Sequence, residues 1–485
     1  MSISGTLNNA LSGLGAASRA AEVVSSNIAN SLTDGYGRRE LQLSATSLAG
    51  QGGGVRVNGV ARMVDLALIS DRRIADAGLG NAGVLQRFYN EIESSIGLPG
   101  SDGSLSSRID GFETSLIEAS SRPDSQPRLM AALRAAEGVA SQMRAISSGI
   151  QQLRQQADTS IASAVSDLNT RLQKIADLNH DIRVQTGSGR QASGLMDQRQ
   201  AIIDSISEMV PIREVPRDNG EIALITSGGA ILLDGKAATF SFSPVGVVTA
   251  DMTIASGALG KLSINGEMID TTKGHHAMIG GRIDALFRVR DTHAVEVQSA
   301  IDGVARDMME RFEDPNVDPT RAPGATGLFT DRGAALNIAD EVGLAGRFSL
   351  NTAIDPGAGG DIWRLRTGLG AAGSGDAGDA TQLTRMIDAL NAERVPPSGG
   401  FMAATRSASG LTADLLSRAG ADRQSAEFEL TFAASKQQSL RATELQNGVD
   451  SDHEMQQLLL VEQAYAANAR VIQAVDDMLD QLLRL

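Results

Sequence analysis

At each end of the 485-residue chain, apolar and small residues recur in alternating steps of three and four. Near the start they are Ile3, Leu7, Ala10, Leu14, Ala17, Ala21, Val24 and Ile28; near the end, Leu458, Val461, Tyr465, Asn468, Ile472, Val475, Leu479 and Leu482. This spacing is the seam of a helix that needs a partner along its length. Each seam runs for about four heptads, so the two ends are predicted to pair as a coiled coil, with each other or with further copies of the chain. Asn468 is the one polar seam position, where an Asn can set register at some cost in stability. "SDHE" at 451–454 has the Ser-x-x-Glu spacing of a capping box and follows a break at Gly448.

Between the seams the periodicity is mostly helical. Leu85, Phe88, Ile92 and Ile96 share one face, and a longer run from Ile150 through Ile161, Leu168 and Ile175 to Ile182 reads as one extended amphipathic helix. "GLPGSDGS" (97–104) and "SRPDSQP" (121–127) break the pattern. From Val210 to Lys273 short apolar runs alternate with turn dipeptides, notably Asn219-Gly220 and Asn265-Gly266, which are hairpin signals. Helical spacing returns from Ile283 to Phe312, then gives way to a Pro-punctuated loop and a Gly/Ala-rich region (343–380), with helices expected near 380–392 and 411–446.

The predicted fold is therefore mainly α with a β insertion. Residues 1–60 and 447–485 form a terminal coiled-coil unit, 61–208 and 274–446 an elongated helical-bundle body with an irregular stretch at 314–380, and 209–273 a small inserted β domain. A chain whose ends share one layer and whose middle projects outward would be a rod.

Composition narrows the chemistry. A net charge of −15 with five lysines, at 174, 236, 261, 273 and 436, argues against nucleic acid, which needs clustered cations. The absence of Cys excludes disulfides, zinc thiolates and thiol nucleophiles. The N-terminus lacks the basic and continuous apolar segments of a signal peptide, and no stretch approaches the ~18 apolar residues of a membrane span. Gly78-x-Gly80-x-x-Gly83 and Gly373-x-Gly375-x-x-Gly378 imitate a dinucleotide fingerprint, but neither follows a predicted strand. "DPNVD" at 314–318 opens like a calcium loop yet has Pro319 where Gly is needed and Ala325 where Glu belongs. Asp177, His180 and Asp181 share a helix face that reads as solvated surface. No catalytic, cofactor-binding or metal-ligating residue is predicted.

The most compact polar cluster is "NIANSLTDGYGRRE", just after the first seam. Asn30 is suited to ending the helix in a left-handed conformation, Thr33 and Asp34 to turn hydrogen bonds, Gly35 to positive φ, and Tyr36 to anchoring the exit. Asn27, Asn30, Thr33, Gly35 and Tyr36 also resemble the N-terminal signature of the axial proteins of the bacterial flagellum, the rod, hook and hook-associated proteins. Gln463-Ala-Tyr465, Asn468-Ala-Arg470 and Asp476-Asp-Met478-Leu479 resemble the closing signature of the same family. Leu32 and Asp34 depart from its commonest residues. Hook and rod proteins place a mainly β domain after the first signature, whereas here a long helical block follows. "GLMDQRQAIIDSISEMVPIREV" (194–215), "GGRIDALFRVRD" (280–291) and "GLFTD" (327–331) resemble a hook-associated member of the family.

The resemblance implies a structural, non-enzymatic protein of the hook–filament junction, a ring built by polymerisation through the terminal helices. Its implied partners are other copies of itself, the flagellar hook protein, hook-associated protein 3, an export chaperone on the C-terminal helix, and the flagellar type III export apparatus. The implied location is extracellular, on the flagellum, with neither nucleic acid nor membrane as a partner. The polar cluster would then be the hinge between inner-tube helix and outer body. The alternatives are another axial subunit, hook or rod, and more remotely an enzyme such as a wall hydrolase.

Overall fold

The computed structural model describes residues 3–48, 51–98, 101 and 103–483. Helix α1 (Ile3–Ala29) leads into an antiparallel hairpin, β1 (Arg38–Leu48) and β2 (Gln51–Met63). Four helices follow: α2 (Leu66–Ile96), α3 (Leu105–Ser121), α4 (Gln126–Gly187) and α5 (Ser193–Ser207). Asp65 caps α2 by accepting from the backbone N–H groups of Ala67 and Leu68 at 3.0 and 3.1 Å, and Ser104 caps α3 through Ser107 N at 3.2 Å. Pro127 stands in the first turn of α4, where its missing N–H costs nothing.

Helix α4 has 62 residues, about 93 Å at 1.5 Å per residue, and is the spine of the body. Its buried stripe runs from Leu129 through Val139, Ile150, Ile161, Leu168 and Ile175 to Ile182. The sequence pattern predicted only the second half of this helix as one piece.

The β region consists of a four-stranded sheet, β3 (Ile212–Pro216), β4 (Ile222–Thr226), β5 (Ile231–Asp234) and β6 (Lys236–Ala237), and a three-stranded one, β7 (Phe240–Ser241), β8 (Leu262–Ile264) and β9 (Glu267–Ile269). Asn219 and Asn265 take φ of 56° and 52°, each followed by a positive-φ Gly, which is the turn chemistry their Asn-Gly sequences call for. This region lies on the spine of the body. Strands of two to five residues cannot bury a core of their own, and Leu224, Leu233, Phe240 and Leu262 instead join the cluster centred on α4. Asn169 of α4 pairs with the backbone of Phe240 in both directions at 2.8 Å, as a neighbouring strand would.

The predicted helix from 283 to 312 is interrupted. Helix α6 (Arg282–Arg288) passes through a π turn (Val289–His293) into α7 (Ala294–Glu313). The turn carries Arg290, fully buried, which bonds Asp158 of α4 at 2.6 Å and Asp291 at 2.7 Å. Asp158 also accepts from Val245 N at 2.7 Å. This pair holds spine, π turn and β region together. The stretch expected to be irregular, 314–380, is not featureless: it holds β10 (Phe329–Asp331), α8 (Leu344–Arg347), β11 (Phe348–Leu350) and α9 (Arg364–Thr367), and Phe329 and Phe348 stack with centroids 4.8 Å apart. The chain closes with α10 (Thr381–Asn391), α11 (Ala408–Gln446) and α12 (Ser451–Leu483). Among the described residues no helix is long and apolar enough to cross a membrane.

Asp158→Ala leaves Arg290 buried with one carboxylate fewer and removes the acceptor for Val245. It should lower unfolding free energy by about 3 kcal/mol, read by urea denaturation followed by circular dichroism.

Candidate assembly site

Helices α1 and α12 pack against each other along their lengths. On α1 the predicted seam faces inward: Ala10, Ala17 and Val24 are buried, and Ile3, Leu7, Leu14, Ala21 and Ile28 are partly covered. On α12 the match is divided. Val475 is buried and Leu458, Val461, Asn468 and Ile472 are partly covered, but Tyr465, Leu479 and Leu482 are 45, 38 and 57% exposed. Asn468 packs over Gly13, where an added Cβ would come within 2.8 Å of its amide atoms. A second stripe, Leu460, Ala464, Ala467, Val471, Ala474 and Met478, has the same three-four spacing and faces solvent.

The two helices join the body at the polar cluster. Asn27 is buried and uses its whole hydrogen-bonding capacity. Its amide donates to Arg39 O at 2.8 Å and to Glu454 Oε2 at 3.0 Å; its carbonyl accepts from Tyr36 OH at 2.9 Å and Arg39 N at 3.0 Å. Glu454, from the first turn of α12, is 1% exposed, and its other oxygen accepts from Arg38 Nε at 2.8 Å. The capping box expected from "SDHE" therefore does not form. Asp450 caps α12 by accepting from Asp452 N and His453 N at 2.9 and 3.2 Å, which frees Glu454 to cross to α1 and β1.

The rest of the turn is held from below. Gly35 has φ 79°, and a Cβ there would meet Asp197 O and Ala201 N of α5 at 3.1 Å, so only Gly satisfies both demands. Asp197 accepts from Gly37 N at 3.0 Å, Arg62 Nε at 2.7 Å and an Arg39 guanidinium nitrogen at 3.1 Å. Arg39 also lies over the Tyr36 ring, 4.9 Å from its centroid. Thr33 N bonds Asn30 O at 2.9 Å and Tyr36 N bonds Thr33 O at 3.1 Å. Asn30 is not left-handed: among the described non-glycine residues positive φ occurs at Asn219, Asn265 and Arg332. Its amide bonds back to Ser26 O at 2.9 Å, extending the helix end. Asp34 is exposed, reaching Arg441 of α11 at 3.3 Å.

Beside the cluster, Arg72 of α2 binds Asp76, Asp204 and Glu444 at 2.7, 2.7 and 2.6 Å, tying α2, α5 and α11 together. Burial opposes the charge of Arg72, but the three carboxylates outweigh it and hold the guanidinium above its ordinary value; burial also raises Glu444.

Several residues weighed for chemistry have partners within the fold. Gly78, Gly80 and Gly83 lie in the middle of α2, more than a dozen residues past the end of β2, and not at a strand-to-helix turn. Asp318 accepts from Thr320 N and Leu369 N at 3.0 and 2.8 Å. His180 contacts Arg183 at 3.0 Å. His276 bonds Asp284 through Nε2 at 2.9 Å and accepts from Met278 N through Nδ1 at 3.3 Å, so neither ring nitrogen is open to act as a base. Sequence reasoning missed Arg38, Asp197 and Glu454 as cluster members because the contacts span 135 to 427 positions; the local signal it did read at Glu454 pointed to capping.

Glu454→Ala removes the acceptor from Asn27 and the partner from Arg38. It should weaken α12 docking by about 2–4 kcal/mol, seen as faster proteolysis within 451–483, while Glu454→Gln should lose less because it can still accept from Asn27.

Three family profiles match the chain: "Flagellar hook-associated protein FlgK helical domain" over residues 89–328, "Flagella basal body rod protein" over 7–36, and "Flagellar basal body rod FlgEFG protein C-terminal" over 446–485. Flagellar hook-associated protein 1 of Salmonella typhimurium is 31% identical over 243 residues, 49% of this chain and 44% of that protein, so that match spans less than half of the relative. Flagellar hook-associated protein 1 of Bacillus subtilis is 24% identical over 517 aligned positions, 98% of this chain and 97% of its own. A solved structure, the flagellar hook junction protein FlgK from Burkholderia pseudomallei, overlays at TM-score 0.45 and 17% identity on 54% of this chain and 46% of its own. The two rod-family matches cover the paired terminal helices and the helical-domain match covers the α4 spine, so the chain is similar to flagellar hook-associated proteins of the FlgK type along its length.

Proposed function

We propose that this chain is a structural subunit of the bacterial flagellum, assembling with copies of itself into the ring that connects hook to filament. The observation that carries the reading is the terminal helix pair. One side of α12 is packed on α1, the flank beside it presents Leu460, Val471 and Met478 to solvent, and the pair is fastened to the body through Asn27 and Glu454. A soluble monomer has no use for a helix that is apolar on two sides; a subunit whose second side is covered by neighbours does.

On this reading Ile3, Leu7, Leu14, Val24 and Ile28 pair with Leu458, Val461, Asn468, Ile472 and Val475 inside one subunit. Tyr465, Leu479 and Leu482 belong to the face that neighbours cover. Asn27, Asn30, Thr33, Gly35 and Tyr36 form the clamp that transmits the helix pair to the body. The division into a terminal unit (1–60 and 447–485), a body (61–208 and 274–446) and an inserted β region (209–273) follows the same logic, with β2 crossing the first boundary to end at Met63. The hook protein and hook-associated protein 3 would flank the ring. During passage through the type III export apparatus to the cell exterior, a chaperone would cover α12.

A second reading, a rod or hook subunit, draws on the two rod-family matches at the termini. A deletion strain separates the two: bare hooks without filaments support the junction, and loss of hooks supports the alternative. Within the junction reading, Leu14→Asp or Ile472→Asp should abolish incorporation while the body stays folded by circular dichroism. Normal filaments on cells carrying either change would refute the pairing.

A further inference from the structure

The body carries a second surface suited to assembly. Helices α2 and α11, α6 and the rim of the β region enclose a groove of about 820 Å³. Its floor is Ile74 and Gly78 of α2, where a Cβ at Gly78 would meet nothing within 4 Å. One wall is Phe432, which with Phe428 is 66 and 74% exposed, in a chain whose aromatic content is 3%. Two exposed Phe one helical turn apart are costly to leave in water and are the kind of anchor that dominates interfaces.

The groove is also cationic. Lys436, Lys273 and Arg288 line it, so two of the five lysines of a chain with net charge −15 face one opening. Lys436 and Arg288 form no ion pair among the described residues, and Lys273 has only exposed Asp270 at 3.4 Å. The opposing acids are Glu429, on the rim, and Asp284, which is buried and committed to His276 and Gly280 N at 2.9 and 3.0 Å.

A complementary element exists on the same chain. The distal part of α12 exposes Met478, Leu479, Leu482 and Leu483 and sets Asp476, Asp477 and Asp480 among them. Residues 472–483 make a helical segment of about 18 Å, long enough to lie along the groove floor. We propose that this groove receives the acidic, apolar end of α12 from a second copy of the chain, with Met478 and Leu482 against Ile74 and Phe432 and the carboxylates near Lys436 and Lys273. The contact joins two different surfaces, so it is heterologous and propagates around a ring or along a helix instead of closing as a dimer. The charge pattern selects the direction of docking.

This inference rests on the reading that copies of the chain assemble together, and its test is separable from that reading. The chain has no cysteine, so full-length Ala433→Cys and Met478→Cys variants can be mixed and treated with a short bis-maleimide. Each copy then has one thiol, and any product is between copies. Docking predicts an Ala433–Met478 cross-linked dimer, reduced roughly tenfold by Lys436→Glu in the first partner or by Asp480→Lys in the second, and restored when both reversals are present. Asp480→Lys lies outside the body, so its effect stands even if a groove variant folds poorly. Cross-linking through Leu460→Cys without any Ala433–Met478 product would overturn the groove and leave assembly intact. Absence of every inter-copy product would overturn both. Capture of a different protein by the groove, with none of this chain, would also overturn the proposal.

Discussion

The carboxylate of Glu454 is the group on which the arrangement of the chain ends depends. A buried charge is tolerated only where partners replace the water it has lost, and Asn27 and Arg38 supply those partners from α1 and β1. Helix α12 therefore has one position in which its first turn is satisfied. Asn468 over Gly13, more than a dozen residues further along α12, marks the same register by shape. A polar contact at one end and a steric one in the middle together fix a pairing that small apolar residues alone would leave free to slide.

The same cluster couples the helix pair to everything else. Asn27 reads the backbone of Arg39 through both its N–H and its C=O, so the helix end is joined to the hairpin as though by a rung of sheet. Asp197 gathers the turn and both strands of the hairpin onto α5, and Arg72 gathers α2, α5 and α11 beside it. The segment expected to be a hinge is cross-bonded to four elements. Polar side chains here provide direction where apolar packing provides only cohesion.

Much of the helical architecture was legible because amphipathic helices announce themselves by period. The breaks at 97–104 and 121–127, the two Asn-Gly turns, and the helices near 380–392 and 411–446 all have local causes in Gly, Pro and apolar spacing. What was not legible depended on distant partners. The hairpin from Arg38 to Met63 alternates only briefly, at Leu41, Leu43 and Ala45 and at Val55 and Val57, between Gly-, Ser- and Arg-rich stretches, and it is anchored by distant partners, α1 and Asp197. The π turn at Val289–His293 exists to bury Arg290 against Asp158, 132 positions away. The β region could not be seen to lie on α4, since nothing local in strands of two to five residues tells where their apolar side chains will go. At the candidate site, Gly35 and Tyr36 were readable as turn chemistry, whereas Glu454 was masked by a capping pattern that a nearer Asp450 took over.

The central claim is that the terminal helices are completed by neighbouring copies while the body stands alone. Backbone hydrogen exchange, compared between the monomer and the assembled form, tests it most directly. Strong protection of α4 is expected in both states, with α1 and the first turns of α12 already partly protected by their pairing in the monomer and the distal two-thirds of α12 gaining protection on assembly. Equal protection of α12 in monomer and assembly would contradict it.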